Sequence, residues 1–230
     1  MKILIIRHGD PDYSIDSLTE KGWREAEMLA ERIAPMNIKN YYVSPLGRAQ
    51  DTISLTLKKC GRTAETFDWL QEFPVVWDMM PEEWTAVSEY YDKNLWYDIP
   101  KMRNANMRSN IERVNGEFDK LLERHGYKRK GNTYLAVSPN SDTIALFCHF
   151  GIQCVLLSHL LGIPPMVLWQ GFIAAPTSVT TLATEERCNG IACFRLNSFG
   201  DTSHLYTKNE KPAFAGRFRE LFTNPDEDCD

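Results

Sequence analysis

Short apolar segments alternate with amphipathic segments along most of the chain, and this alternation predicts the secondary structure. The first segment, Met1–Ile6, carries four apolar residues in a row, which is typical of a strand buried on both faces. Residues 19–34 repeat apolar side chains at helical spacing, with Thr19 as the predicted N-cap and Pro35 as the stop. Further strands are predicted at 40–43, 63–67, 134–137, 143–148, 178–182 and 191–196, and further helices at 45–59, 82–97, 106–125 and 150–161.

Turn residues between these segments predict how neighbouring strands are joined. Residues 138–142 suggest a hairpin between the strands at 134–137 and 143–148. Asn189-Gly190 predicts a second, antiparallel hairpin at one edge of the sheet. Alternation of strands and helices elsewhere predicts an α/β fold.

One region departs from the alternation. Residues 74–131 are rich in Trp, Tyr and Met and are predicted to form a helical insertion over the site, some of whose apolar side chains could line a substrate pocket. No second domain is indicated, so residues 1–230 are predicted to be a single domain, with a frayed acidic tail at about 224–230.

Polar residues follow the apolar segments where strands of an α/β sheet deliver side chains to a ligand. Arg7 and His8 come directly after the first strand, and His149 follows the strand at 143–148. Arg48 lies in the first turn of the helix after the strand at 40–43, where Ser44 is the predicted N-cap and Pro45 the first helical residue.

A cation in a first helical turn opposes the helix dipole unless an anion binds there. Arginine beside a titratable histidine favours a phosphate ligand. Two arginines can hold phosphoryl oxygens while one neutral histidine attacks phosphorus and another donates a hydrogen bond. The guanidinium groups supply the charge that magnesium would otherwise provide, so the sequence predicts no metal and no cofactor.

Composition narrows the classes of partner. The 230 residues carry a net charge of −5, which disfavours a nucleic-acid binder. No segment is long and apolar enough to span a membrane, no signal peptide is apparent, and the six cysteines form no C-x-x-C pair. We therefore expect a cytoplasmic protein with reduced thiols that binds a small phosphorylated substrate, with no nucleic-acid or membrane partner. A homodimer is left open.

Five motifs in order resemble the histidine phosphatase superfamily, also called the phosphoglycerate mutase-like family. They extend over nearly the whole chain, with Asn197-x-x-Gly200 and His204-Leu205 as a closing segment. The five motifs are Arg7-His8-Gly9, Leu18-Thr19-Glu20-x-Gly22, Ser44-Pro45-x-x-Arg48-Ala49-x-x-Thr52, Leu70-x-Glu72 and His149-x-Gly151. The resemblance implies a three-layer α/β/α sandwich with a mostly parallel sheet.

The resemblance also implies roles for the residues at the strand ends. His8 would be the phosphorylated nucleophile, and Arg7, Arg48 and His149 would form the phosphate pocket. Glu72 would be the proton donor. The family usually continues after this glutamate with a glycine and an acidic residue, whereas this chain reads Phe73-Pro74, so Glu82 and Glu83 are alternative donors.

Physical chemistry constrains these roles further. Nucleophilic attack needs a neutral His8, and the flanking arginines should lower its pKa from the usual value of about 6.5. A carboxyl donor must stay protonated, which apolar neighbours such as Trp69 and Phe73 would favour. The remaining histidines are predicted to be structural. His125 is a charge at the C-terminal end of its helix, His159 a satisfied core or interface residue, and His204 a residue with a structural role.

The leading prediction is a histidine acid phosphatase-type phosphomonoesterase. The alternatives are a phosphoglycerate-type phosphomutase, for which Arg103, Arg108 and Arg113 would bind the substrate carboxylate, and a non-catalytic phospho-ligand binder.

Overall fold

The computed structural model describes residues 1–73, 92 and 95–215, and strands and helices alternate along them. The strands are β1 Lys2–Arg7, β2 Pro11–Asp12, β3 Ser17–Leu18, β4 Asn40–Val43, β5 Ala64–Thr66, β6 Tyr127–Lys130, β7 Thr133–Ala136, β8 Thr143–Cys148, β9 Val179–Cys188 and β10 Ile191–Asp201. The helices are α1 Glu20–Ile33, α2 Gly47–Cys60, α3 Pro100–Asn104, α4 Met107–Arg124, α5 Phe150–Leu161, α6 Pro165–Gly171 and α7 Ser203–Tyr206. Single 3₁₀ turns occur at Asp68–Leu70 and Trp96–Asp98.

Eight strands form one sheet in the order β5-β4-β8-β1-β9-β10-β7-β6, and β2 and β3 form a separate small ribbon. Strands β5, β4, β8 and β1 run parallel, while β9, β10, β7 and β6 continue the sheet in antiparallel pairs. The predicted α/β fold is confirmed, although four strands are antiparallel and not only the hairpin predicted at one edge. The parallel half brings the carboxyl ends of β1, β4 and β8 together at one end of the sheet.

Helices cover both faces of the sheet, which confirms the three-layer arrangement. Alternate residues of β1 divide between two apolar clusters because successive side chains of a strand point to opposite faces. Leu4 and Ile6 pack with residues of α1 and α2, and Ile3 and Ile5 pack with residues of α4 and α5. The central strand is therefore buried on both faces, as its unbroken apolar run indicated.

The predicted hairpin between the strands at 134–137 and 143–148 is wrong. Strand β8 lies between β1 and β4 in parallel register, and β7 pairs with β6 and β10. Strand β8 is apolar on both faces, so the sheet centre buries it better than a hairpin beside the largely half-buried β7 would. The hairpin at Asn189-Gly190 does form, with Gly190 at φ +74°, but it lies inside the sheet between β1 and β7 rather than at an edge.

The region predicted as an insertion is described from residue 95 onward. The predicted helix at 106–125 is confirmed as α4, which packs against α5 as part of one helical layer, and residues 127–130 form β6. Of the predicted helix at 82–97, only residues 92 and 95–97 are described, and Trp96–Asp98 forms a 3₁₀ turn instead of an α-helix. The tail at 224–230 lies wholly outside the described residues. Trp96, Met102 and Met107 are core residues whose side chains are at most 1% exposed. These three side chains therefore do not line an open substrate pocket.

Two further observations bear on the predicted surroundings of the protein. The cysteines of the described residues, up to Cys193, are all free thiols, and Cys148 and Cys154 are buried. No helix in the described part of the chain has the length and apolar character needed to cross a membrane.

Candidate active site

Strand β1 delivers Arg7 and His8 to the end of the sheet where β4 and β8 also finish. The His8 side chain is 1% exposed, and its Nδ1 lies 2.7 Å from the carbonyl oxygen of Gly9. Because a carbonyl oxygen only accepts hydrogen bonds, Nδ1 carries the proton and Nε2 keeps its lone pair. The Gly9 N–H donates in turn to Thr52 Oγ1 at 2.9 Å, which fixes the loop behind the ring.

Burial lowers the pKa of His8 well below its ordinary value of 6.5, and the charges of Arg7, His149 and Arg48 add to this effect. The hydrogen bond to Gly9 acts in the opposite direction but is outweighed. His8 is therefore neutral at pH 7, as the sequence led us to expect.

Arg7 is 3% exposed and is held by main-chain carbonyls from two distant segments. One terminal nitrogen donates to the oxygens of Ala174, at 2.7 Å, and Ala215, at 3.0 Å. The Nε atom has no partner among the described residues. One edge of the guanidinium is thus fixed by the protein, and Nε is left as a donor for a ligand. Burial lowers the pKa of Arg7, and the Glu72 carboxyl opposes this effect.

Arg48 is the second residue of α2, so its predicted place in the first helical turn is confirmed. An anion was expected at this end of α2, and in the structure a carboxylate of the chain itself, Asp16, occupies that place. Asp16 accepts from Arg48 Nη1 at 2.5 Å through one oxygen and from the Gly47 N–H at 2.6 Å through the other. The Tyr13 ring lies 5.4 Å from the guanidinium carbon of Arg48. The loop after β1 therefore places a carboxylate over the N-terminus of α2. This carboxylate accepts from the Gly47 N–H and from Arg48, which are donors that a phosphate could also use.

Residue 47 is a glycine because the loop approaches the backbone of α2 closely. A Cβ atom at Gly47 would lie 2.1 Å from the carbonyl oxygen of Asp16, well inside van der Waals contact. Asp16 itself adopts a left-handed conformation with φ +48°. These two features seat the Asp16 carboxylate on the end of the helix.

His149 follows β8 and is the N-cap residue of α5, with no exposed surface. Its ring centroid lies 5.0 Å from that of His8. Its Nε2 is 2.8 Å from Ser44 Oγ, which itself accepts from the N–H of Leu46 at 3.3 Å. Ser44 can then donate its own proton to Nε2, and this arrangement favours the tautomer with the proton on Nδ1, an atom without a partner in the described part of the chain.

The environment keeps His149 uncharged as well. Burial lowers its pKa well below the ordinary value of 6.5, and the charges of Arg48 and Arg7 lower it further. A neutral His149 with a proton on Nδ1 is a hydrogen-bond donor that carries no charge. Such a donor can stabilise negative charge without competing with the arginines for a proton.

Glu72 lies at the N-terminus of α5, against Gly151 and Ile152. Its Oε1 accepts from the N–H groups of Phe73, at 2.9 Å, and Ile152, at 3.2 Å. A Cβ atom on Gly151 would lie 2.6 Å from that same oxygen, so only glycine leaves room for the carboxyl. Burial raises the pKa of Glu72, while the two N–H groups and the charges of both arginines act against this effect. The alternative donors, Glu82 and Glu83, lie outside the described residues.

The structure thus brings together the residues predicted to form the site. Two guanidinium groups, two neutral histidines and one carboxyl with a raised pKa converge at the carboxyl end of the parallel strands, an arrangement that can bind a phosphate and transfer protons. Within the described residues, no group of three or more His, Cys, Asp and Glu side chains could hold a metal ion. The converging residues are Arg7, His8, Arg48, Glu72 and His149.

Sequence reasoning missed two contributors to this site. Ser44 was predicted to cap a helix starting at Pro45, but α2 begins at Gly47 with Leu46 as the N-cap, and the Ser44 side chain contacts His149 instead. Asp16 had no predicted role, because its contact with Arg48 joins residues 32 positions apart. A lone acidic residue in a turn-rich loop gives no sequence signal of its own.

The other histidines have structural contacts. His125 was predicted to be a helix-end charge, but it is buried against the Tyr42 hydroxyl at 2.7 Å, and burial lowers its pKa. His159 contacts Asp119 at 2.9 Å. His204 contacts Thr177 at 3.1 Å, and burial lowers its pKa to about 4.

Known proteins share both the sequence and the fold. A probable phosphatase, C1687.21, from Schizosaccharomyces pombe is 26% identical over 220 residues, covering 89% of this chain and 95% of that protein. A probable phosphoglycerate mutase, GpmB, from Yersinia enterocolitica is 28% identical over 219 residues, again covering 89% and 95%.

Solved structures show the same fold at lower identity. Phosphoserine phosphatase from Entamoeba histolytica, in complex with 3-phosphoglyceric acid, aligns with a TM-score of 0.63 and 21% identity over 89% of this chain and 98% of that one. A phosphoglycerate mutase from Bacillus anthracis aligns with a TM-score of 0.63 and 19% identity, and the alignment covers 91% of this chain and 97% of that one. The family model of the histidine phosphatase superfamily (branch 1) matches residues 3–197. The chain therefore belongs to the histidine phosphatase superfamily.

Proposed function

We propose that the protein is a metal-independent phosphatase that hydrolyses a phosphomonoester through a phosphohistidine on His8. The observation that carries this proposal is the hydrogen bond between His8 Nδ1 and the carbonyl of Gly9. It leaves the lone pair of Nε2 available on a buried, neutral ring in contact with His149 and flanked by the charge of Arg7. A site that only binds phosphate has no need of such a nucleophile.

In the first step, Arg7 and Arg48 hold the phosphoryl oxygens, and His149 donates from Nδ1. The lone pair of His8 Nε2 attacks phosphorus as the bond from phosphorus to the ester oxygen breaks. The Glu72 carboxyl gives its proton to the leaving oxygen, which departs as an alcohol. The products of this step are the free alcohol, phosphorylated His8 and the Glu72 carboxylate.

In the second step, water attacks the phosphorus of phosphorylated His8 and gives a proton to the Glu72 carboxylate. The bond between phosphorus and Nε2 breaks, its electron pair returns to the ring, and inorganic phosphate leaves. His8 and Glu72 are then back in their starting protonation states. The residues that hold phosphate also neutralise the charge that develops on its oxygens, so the residues of the site account for each proton and charge.

The test is hydrolysis of p-nitrophenyl phosphate by wild type, His8→Ala and the matched control His159→Gln. We expect His8→Ala to lower kcat/KM by at least about 10³-fold, and the control to retain activity. Intact-mass analysis after rapid acid-free quenching should show a phosphoryl adduct on wild type that His8→Ala lacks. A wild-type protein that binds phosphate but hydrolyses nothing in a broad panel of phosphomonoesters would instead support the non-catalytic binder.

A phosphomutase is the second candidate, because relatives named phosphoglycerate mutase match most of the chain. Two of the arginines offered as a carboxylate site are engaged elsewhere. Arg103 donates to the carbonyl of Asp98 at 2.8 Å, and Arg108 lies 4.4 Å above the Tyr97 ring. These contacts favour the phosphatase. Product analysis with 3-phosphoglycerate decides the matter, because phosphate release without isomerisation supports hydrolysis and efficient isomerisation excludes it.

The proposed substrate is a small phosphomonoester in the cytoplasm. The free thiols of the described cysteines support that location. A homodimer stays a prediction from the sequence.

A further inference from the structure

Glu25 is a buried carboxyl that the proposed chemistry does not use. It lies on α1 with no exposed surface. Its Oε1 accepts from the N–H of Ala213 at 2.8 Å, and the N–H of Asp10 also stabilises the charged carboxyl. Burying a carboxyl is unfavourable unless hydrogen bonds compensate for the lost water. The contact with Ala213 is therefore the feature of Glu25 that a role in the protein must explain.

The partner of Glu25 leads directly to the anion pocket. Two residues after Ala213, the carbonyl of Ala215 accepts from a terminal nitrogen of Arg7 at 3.0 Å. The segment 213–215 is therefore tied to α1 at one end and to the phosphate-binding arginine at the other. Among the described residues, the Arg7 guanidinium donates to two carbonyl oxygens, those of Ala174 and Ala215. The position of the segment 213–215 therefore determines one of the two hydrogen bonds that orient the guanidinium.

A second observation links the two side chains. The charge of Glu25 raises the pKa of Arg7, against the lowering effect of burial. Asp10, in the loop that follows His8, also lies within electrostatic range of Glu25. Glu25 thus stands behind the pocket, between the segment that holds Arg7 and the loop that holds the nucleophile.

We propose that Glu25 is a positioning residue for Arg7, which it orients by fixing the segment 213–215. The proposal rests on the phosphatase function for its kinetic consequence, but the anchoring itself can be measured without turnover. The proposed role depends on the oxygen that accepts from the Ala213 N–H. The position of this oxygen should therefore affect Arg7 more than the charge of the side chain does.

Three variants separate these properties. Glu25→Ala removes the acceptor, Glu25→Asp keeps the charge but withdraws the oxygen by one methylene, and Glu25→Gln keeps the oxygen in place. Thr56→Ala is the matched control, because Thr56 is an equally buried polar residue on α2 whose hydroxyl has no described partner.

Hydrogen–deuterium exchange of the peptide that contains residues 211–215 measures the anchor. We expect faster exchange in Glu25→Ala and Glu25→Asp, and wild-type exchange in Glu25→Gln and Thr56→Ala. Unchanged exchange in Glu25→Ala and Glu25→Asp would overturn the proposal, whatever reaction the protein catalyses.

Inhibition by inorganic phosphate, or its binding measured by calorimetry, reports on Arg7. Loss of one positioned hydrogen bond should weaken phosphate binding about tenfold in Glu25→Ala and Glu25→Asp, and about twofold or less in Glu25→Gln and Thr56→Ala. KM for p-nitrophenyl phosphate should rise more than kcat falls, whereas a loss of folded protein would lower kcat alone. Faster exchange with unaltered phosphate affinity would overturn the positioning role.

The two proposals fail in distinguishable ways. A wild type without phosphatase activity would refute the proposed function, while exchange and phosphate binding would still decide the role of Glu25. If Glu25→Ala does not fold, Glu25→Asp and Glu25→Gln carry the same comparison.

Discussion

The buried carboxyl of Glu25 should contribute a part of the protein's stability that falls as pH rises, and replacing it with glutamine should remove that part. Burial raises the pKa of Glu25 from 4.5 to about 7. The nearby charge of Asp10 adds to the increase, while the N–H groups of Ala213 and Asp10 and the charge of Lys21 oppose it. The charge of the ionised Glu25 carboxyl also raises the pKa of Arg7. Glutamine has nearly the same shape and does not ionise in this range.

The sign follows from proton binding. Between the unfolded pKa of 4.5 and the folded pKa of about 7, the folded state binds more protons at Glu25 than the unfolded state does. The contribution of Glu25 to stability is therefore fully present below pH 4.5 and is lost as pH rises through 7. At about 1.36 kcal/mol per pH unit, the total loss is about 3.4 kcal/mol, of which about 2.5 kcal/mol falls between pH 5 and pH 8.

Urea denaturation of wild type and Glu25→Gln at pH 5, 6, 7 and 8 measures this effect. Any fixed packing difference between the two proteins is independent of pH, so the quantity of interest is the change in their stability difference. We expect Glu25→Gln to gain about 2.5 kcal/mol relative to wild type across this range. Glu27→Gln, an exposed change on the same helix, should show a difference constant within about 0.5 kcal/mol. A constant or falling difference for Glu25→Gln would refute the reasoning.

Three further substitutions test the ion pair of Arg48 and the proposed proton donor. Asp16→Asn removes the charge that pairs with Arg48, so inorganic phosphate should inhibit about three- to tenfold more strongly, and weaker inhibition would show that Asp16 assists binding instead of competing with it. Glu72→Gln should slow hydrolysis of alkyl phosphates by about 10²-fold or more and p-nitrophenyl phosphate far less, because only the alkyl leaving group needs a proton. Gly151→Ala displaces the same carboxyl and should show the same leaving-group pattern, and an equal loss on both substrates would argue against the assignment of Glu72 as the acid.

The strand ends could be predicted from sequence because each carries a local signal. A run of apolar residues that stops at Arg7-His8 or at His149 predicts a buried strand followed by a polar site, and parallel strands place such ends together. The position of Arg48 in the first turn of α2 could be predicted in the same way, because Arg48 follows a strand and a proline-containing turn. These signals span fewer than ten residues each, which is the range over which sequence patterns are informative.

Contacts between distant segments carried no such signal. Asp16 meets Arg48, and Ala215 meets Arg7, through loops whose course depends on the whole fold. Pairing of β8 was mispredicted for the same reason, because turn residues between two strands favour a reversal but do not choose the partner. The partners of β8 are determined by burial, which favours β8 at the centre of the sheet. These partners, β1 and β4, lie more than 100 residues away in the sequence, so no local pattern identifies them.

One physical cause, burial of the site, favours opposite protonation states on the proposed nucleophile, His8, and the proposed acid, Glu72. Desolvation disfavours charge, so it lowers the pKa of His8 and His149 and raises that of Glu72. The charges of Arg7 and Arg48 reinforce the effect on both histidines and oppose it on Glu72. A bound phosphate dianion would cancel much of that positive charge and raise the pKa of Glu72 further. In the proposed mechanism, the substrate itself should therefore help to protonate Glu72, while burial keeps His8 uncharged.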